Sequence, residues 1–177
     1  NDKRVIKVED TIECMQELAK KYRHTLDVKV IAITGSNGKT TTKDMIYSVL
    51  SQKYVTAKTM GNLNNHIGVP FTILQLDEKC EAAVLELGMS GFGEIDLLSS
   101  IVEPDIGVIT NIGDSHLEFL KTRENVFKAK TELVKYVSAE NLIVFGDDPF
   151  LKDLNGIKVG YENNNNYQIK NFTDSDE

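Results

Sequence analysis

Val28-Lys29-Val30-Ile31-Ala32-Ile33-Thr34-Gly35-Ser36-Asn37-Gly38-Lys39-Thr40-Thr41 joins an apolar, β-branched run to a glycine turn and then to a helix-forming segment. Residues 28–34 suit a buried parallel strand, which is apolar on both faces. Gly35 and Gly38 let the backbone turn sharply and aim N–H groups into one concavity, a shape that receives an anion. The helix read from Lys39 to Gln52 adds its positive dipole end. Lys39 can reach the outer phosphates of a nucleotide, and the Thr40 hydroxyl can ligate Mg²⁺, as in other strand–loop–helix nucleotide sites. The loop is shorter than the common G-x-x-x-x-G-K-[ST] pattern, because Ile33 stands where that pattern has its first glycine. Its position between a buried strand and a helix carries the reading.

The same alternation extends in both directions. Asp10 to Tyr22 predicts an amphipathic helix, with Asp10 as cap, Glu13 at the capping-box position, and Ile12, Met15, Ala19 and Tyr22 at helical spacing. Tyr54–Lys58 is a short strand, residues 61–65 a loop, and the segment up to Leu76 helical, with Pro70 in its first turns. Ala82–Leu87 is a buried strand stopped by Gly88. Glu94–Val102 is a helix ending before Pro104, and Ile106–Thr110 a strand. Arg123–Val137 reads as one long helix and Leu142–Phe145 as a strand. The expected fold class is α/β: a mostly parallel sheet with helices on both faces, of the P-loop mononucleotide-binding type. In the tail, Ile157–Tyr161 and Tyr167–Phe172 are read as two strands joined through the asparagine run 162–166, a turn or flexible loop.

The 177 residues are enough for one domain with a sizeable core, and 41% apolar with 27% charged residues is ordinary for a soluble globular protein. A net charge of −7 argues against a general nucleic-acid binder, while leaving room for a local nucleotide site. Cys14 and Cys80 are too few for a disulfide framework and are expected to be buried or half-buried thiols without chemistry. No apolar run approaches the roughly 20 residues of a membrane helix. The start, Asn1 to Val5, lacks both an initiator Met and a following apolar stretch, so the chain is expected to be a piece of a longer cytoplasmic protein without a signal peptide.

Ligands of open parallel sheets bind beyond the carboxyl ends of the strands, and several polar residues fall there. Glu86 lies late in an apolar strand, where an unpaired carboxylate is costly; Mg²⁺ or an exposed strand end explains it. Asn111 directly follows a strand. His116 follows in a loop and is either a ligand or a hydrogen-bonding surface residue. Lys130 falls inside the apolar stripe of Val126, Ala129, Leu133 and Val137, with Lys128 and Lys135 on the opposite face. Such a lysine either snorkels or has a lowered pKa, and a neutral amine can take up CO₂ as a carbamate, an oxygen ligand for Mg²⁺.

Five segments in this order resemble the Mur ligases, the ATP-dependent enzymes that add amino acids to the peptidoglycan precursor. They are Ile33–Thr41, Gly61–Pro70, Glu86–Ser90, Thr110–Leu117 and Ala129–Glu132. The resemblance covers about residues 5 to 150, and the family's loop also lacks the earlier glycine. It implies that the chain is part of a central ATP-binding domain, without the N-terminal UDP-sugar domain and the C-terminal domain. It implies ATP and Mg²⁺ as cofactors, with Gly35, Ser36, Asn37, Gly38, Lys39, Thr40 and Thr41 on the phosphates and Asn111 ordering the loop or touching nucleotide. Thr40 and Glu86 would bind one Mg²⁺. Glu86, His116 and a carbamylated Lys130 would serve a second, making Lys39, His116 and Lys130 the catalytic set. Asn62, Asn64, Asn65 and His66 would line the muramoyl-peptide side. The implied partners are small molecules, UDP-N-acetylmuramoyl-tripeptide and D-alanyl-D-alanine, on a monomer that binds neither nucleic acid nor membrane. The alternatives are another Mur-type or folylpolyglutamate-type ligase, or a non-catalytic nucleotide-binding module, although no Asn-Lys-x-Asp base motif of the GTPases is present.

Overall fold

The computed structural model describes residues 4–170. Its strands are β1 (Lys29–Thr34), β2 (Thr56–Lys58), β3 (Ala82–Glu86), β4 (Ile106–Ile109), β5 (Leu142–Phe145), β6 (Ile157–Gly160) and β7 (Tyr167–Gln168). They form one sheet in the order β2-β3-β1-β4-β5-β6-β7, and every pairing is parallel. The helices are α1 (Thr11–Arg23), α2 (Lys39–Leu50), α3 (Gly68–Leu74), α4 (Glu94–Val102), α5 (Leu117–Leu120) and α6 (Arg123–Lys130).

Side chains alternate along β1, and so do its two cores. Val30 and Ala32 join the larger cluster with residues of α1, α3, α4 and α6. Ile31 and Ile33 point the other way, to Ile46, Tyr47 and Leu50 of α2. This is the layered arrangement that strand–helix alternation predicts. Asp10 caps α1 by accepting from the backbone N–H groups of Ile12 and Glu13 at 2.7 and 2.9 Å.

Several details refine the sequence reading or depart from it. The segment 123–137 is α-helical only to Lys130 and tightens into a 3₁₀ turn over Thr131–Tyr136. There the Thr131 hydroxyl donates to the carbonyls of Phe127 (2.7 Å) and Lys128 (3.2 Å), competing for the helix's own acceptors. The asparagine run between β6 and β7 is tied down: Asn166 Oδ1 accepts from the Lys158 N–H at 2.8 Å, and Asn165 Nδ2 donates to Asp147 at 2.6 Å. The two strands it joins lie parallel, and β7 is shorter than expected; Asn171 and Phe172 of that reading lie outside the described residues. Of the thiols, Cys80 is buried and Cys14 is exposed, so burial was wrongly expected for the second.

Candidate functional site

The strand order places β1 between β3 and β4, with chain connections leaving to opposite sides, and a crevice opens at such a point beyond the strand ends. Register does the rest. Ile33 is level with Glu86, and Thr34 with Ile109. The glycine loop, Glu86 and the Thr110–Asn111 turn therefore emerge side by side on one rim of the sheet.

The loop is clamped from β4. Asn111 brackets one peptide: its Oδ1 accepts from the Asn37 N–H at 3.0 Å, and its Nδ2 donates to the Asn37 carbonyl at 3.2 Å. Thr110 Oγ1 donates to the same carbonyl at 2.7 Å. Ser36 Oγ accepts from the Gly113 N–H (2.8 Å) and the Ser115 hydroxyl (2.9 Å). This close approach requires glycine at position 35, where φ is 148° and a Cβ would lie 1.8 Å from Thr110 Oγ1. Asp148 braces the clamp from behind by accepting from the Ile112 N–H at 2.8 Å. Thr110 and Ser115 lie inside the Thr110–Leu117 segment without a role of their own in the sequence reading, and Asp148 carries no sequence signal that separates it from an ordinary loop residue.

Two cations converge on one carbonyl. Lys39 Nζ and Lys130 Nζ each donate to the Gly35 oxygen at 2.9 Å, although Lys130 arrives from 95 residues away. Lys130 is 1% exposed, so it does not snorkel. Burial, reinforced by the Lys39 charge, lowers its pKa to about 7. Burial also lowers the pKa of Lys39, partly opposed by Glu86.

Glu86 is 3% exposed, which removes the exposed-strand-end alternative. Its Oε2 accepts from the Thr40 hydroxyl at 2.8 Å and its Oε1 from Asn64 Nδ2 at 2.9 Å. Gly88 makes room for that amide, since a Cβ there would lie 2.8 Å from Asn64 Oδ1. A hydroxyl and a carboxylate meeting beside a phosphate loop are hard oxygen donors that suit Mg²⁺, an ion that keeps several waters and takes its other ligands from phosphate. Among the described residues no group of three His, Cys, Asp or Glu side chains could hold a metal by itself.

A cavity of about 300 Å³ opens beside this cluster, lined by Lys39, Asn64, Asn65, Met89, Glu94 and His116 among others. His116 is held with φ 59°, and burial and the charges of Lys130 and Lys39 lower its pKa. Asn65 also accepts from the N–H groups of Ile67 and Gly68 at the start of α3. Asn62 and His66 are exposed and do not line the cavity; the His66 carbonyl instead accepts from Gln16. Glu94 went unnoticed in the sequence because an acidic residue in a helix's first turn is ordinary.

Fold and site together define an α/β domain with a phosphate-binding loop, equipped with oxygen donors and two lysines at the loop. The family model of the Mur ligase middle domain matches residues 33–177, and the chain belongs to that family. It is 47% identical over 177 residues to the UDP-N-acetylmuramoyl-tripeptide–D-alanyl-D-alanine ligase of Bacillus subtilis, covering 98% of this chain and 39% of that protein. The Escherichia coli ligase of the same name is 38% identical over 141 residues, covering 80% of this chain and 31% of the relative. Among solved structures, the MurF ligase of Thermotoga maritima in complex with ADP matches with a TM-score of 0.84 and 35% identity, covering 92% of this chain and 39% of that one. MurF from Acinetobacter baumannii matches with a TM-score of 0.78 and 40% identity, covering 85% and 34%. The chain thus spans well under half the length of these relatives. Among the described residues no helix is long and apolar enough to cross a membrane.

Proposed function

We propose that this chain is the ATP-binding part of a cytoplasmic ligase that joins D-alanyl-D-alanine to UDP-N-acetylmuramoyl-tripeptide, releasing ADP and phosphate. The observation that carries the reading is the convergence of Lys39, Lys130 and the Thr40–Glu86 pair around the Gly35 turn. The relatives' names and the ADP-bound neighbour support the substrates.

In this reading the substrate carboxylate attacks the γ-phosphate of ATP, giving an acyl phosphate and ADP. The amine of the dipeptide then attacks the acyl carbon, and a tetrahedral intermediate collapses to amide and phosphate. The physical difficulty is that two anions must meet. The loop N–H groups and Lys39 lower that barrier by holding the transferring phosphate in place and offsetting its charge. Thr40 and Glu86 would hold Mg²⁺, whose positive charge on the phosphate oxygens adds to this. Lys130, with a neutral amine available near pH 7, is poised to become a carbamate, which with Glu86 and His116 would serve a second Mg²⁺. Asn111 keeps the loop in its receptive shape, and Asn64 and Asn65 face the muramoyl-peptide side. The domain acts as a monomer with small-molecule partners, and the remaining domains of the full-length protein supply the UDP-sugar site and closure.

The test uses the full-length protein with ATP, Mg²⁺ and UDP-N-acetylmuramoyl-tripeptide. ADP release that depends on D-alanyl-D-alanine, and falls when glutamate or another single amino acid replaces it, supports the reading. Preference for a single amino acid would move the protein elsewhere in the superfamily, and nucleotide binding without any amide product would leave a non-catalytic module.

A further inference from the structure

Glu94 is the one carboxylate among the residues lining the cavity beside the phosphate loop. It is half-buried, and it forms no ion pair among the described residues; Lys39 and Lys130 are both committed to the Gly35 carbonyl. Its Oε2 accepts one long hydrogen bond, from the Ser90 N–H at 3.2 Å, and among the described residues no donor reaches its Oε1.

Capping does not explain it. Glu94 is the first residue of α4, but the cap is supplied by another residue: Glu132 accepts from the Gly93 N–H just ahead of the helix at 2.8 Å through Oε1 and from the free Asp96 N–H of the first turn at 3.0 Å through Oε2. That brace fixes the backbone on both sides of Glu94 and leaves its own carboxylate with the Ser90 N–H as its one hydrogen-bond donor among the described residues. The cavity is therefore lined by charges of both signs, Lys39 and a braced carboxylate, together with His116, which feels the Glu94 charge. A carboxylate so placed favours an ammonium, and a charge-assisted bond between them is stronger than a neutral one.

Resting on the ligase reading above, we propose that Glu94 is a binding residue for a substrate ammonium next to the reacting acyl group. The substrates named for one solved relative, which contain 2,6-diaminopimelate and D-alanyl-D-alanine, offer two such groups: the attacking amine before it loses its proton, and the second amino group of the diamino residue. Either would bring its cation to the same carboxylate.

The experiment compares the full-length wild type with Glu94→Gln, using Mg²⁺-ATP, the nucleotide tripeptide, and either D-alanyl-D-alanine or hydroxylamine as acceptor. Hydroxylamine is uncharged near neutral pH and reports acyl phosphate as a hydroxamate. If Glu94 holds the attacking amine, the variant raises the KM for the dipeptide about tenfold or more and lowers the amide-to-hydroxamate ratio accordingly. If it holds the diamino residue, the KM for the nucleotide tripeptide rises instead, and the difference between the proteins vanishes with a side-chain N-acetylated tripeptide. Glu94→Asp shifts the same quantity in the same direction by less, which keeps the test available should Glu94→Gln not fold. Unchanged KM for both substrates, or parallel loss of amide and hydroxamate at unchanged KM, overturns the proposal. A wild type that forms neither amide nor hydroxamate overturns the ligase reading itself.

Discussion

Lys130 shows what a single residue adds to this site. Its place in an apolar stripe pointed to burial, but a helical wheel has no information about what lies at the end of the side chain. The amine ends on the Gly35 carbonyl, 95 positions away in the chain, and that is a tertiary fact. Its pKa of about 7 has a consequence for stability. The folded value lies below the ordinary lysine value, so between about pH 7 and the unfolded pKa near 10.4 the unfolded chain binds more protons, and stability rises with pH. Urea midpoints of this chain at pH 7 and pH 9 should show such a rise, limited to about 1.4 kcal/mol per pH unit from this group, and Lys130→Met should flatten it. An identical slope in the variant would remove the buried cation from the account. In the full-length enzyme, Lys130→Ala should cut turnover sharply, with partial recovery on adding short-chain carboxylic acids; full activity without them would retire the carbamate. Asn111→Ala removes both bonds to the Asn37 peptide and should weaken nucleotide binding roughly five- to tenfold by calorimetry, at about 1 kcal/mol for the lost ordering. The position of Asn111 after a strand was readable; its two-sided grip on the loop was not, because it depends on the packing of β4 against β1.

Among the elements, α4 and the segment after α6 form a working pair. The extent of α4 was legible, above all its end, since Pro104 forbids continuation. What caps it was not. The capping carboxylate, Glu132, sits 39 residues from the Gly93 amide and is delivered from the 3₁₀ turn that replaces the expected last turns of a long helix. Short α5 was missed because four residues carry too little periodicity to register. Glu132→Ala should leave the Gly93 and Asp96 amides without their acceptor and lower stability by about 1.5–3 kcal/mol, the range for hydrogen bonds to a charged group, read as a lower urea midpoint. Glu132→Gln should lose less, since its amide keeps one acceptor oxygen. Equal stability of all three proteins would show the brace to be unimportant.

At the scale of the molecule, the sheet order carries most of the explanation. Five strand segments alternating with helices, and a glycine loop, make a parallel α/β sheet readable in the sequence. They did not state which strands are neighbours, and that order puts Glu86 and Asn111 on either side of the phosphate loop. The central claim is that these neighbours form one device for holding a nucleotide's phosphates. It is tested most directly by calorimetric titration of this chain with a non-hydrolysable ATP analogue and Mg²⁺, beside Lys39→Ala and Glu86→Gln. Mg²⁺-dependent binding by the parent chain is expected, weakened about tenfold or more by the lysine change and stripped of its Mg²⁺ dependence by the glutamate change. No binding by the parent chain, or equal affinity in all three proteins, would contradict it.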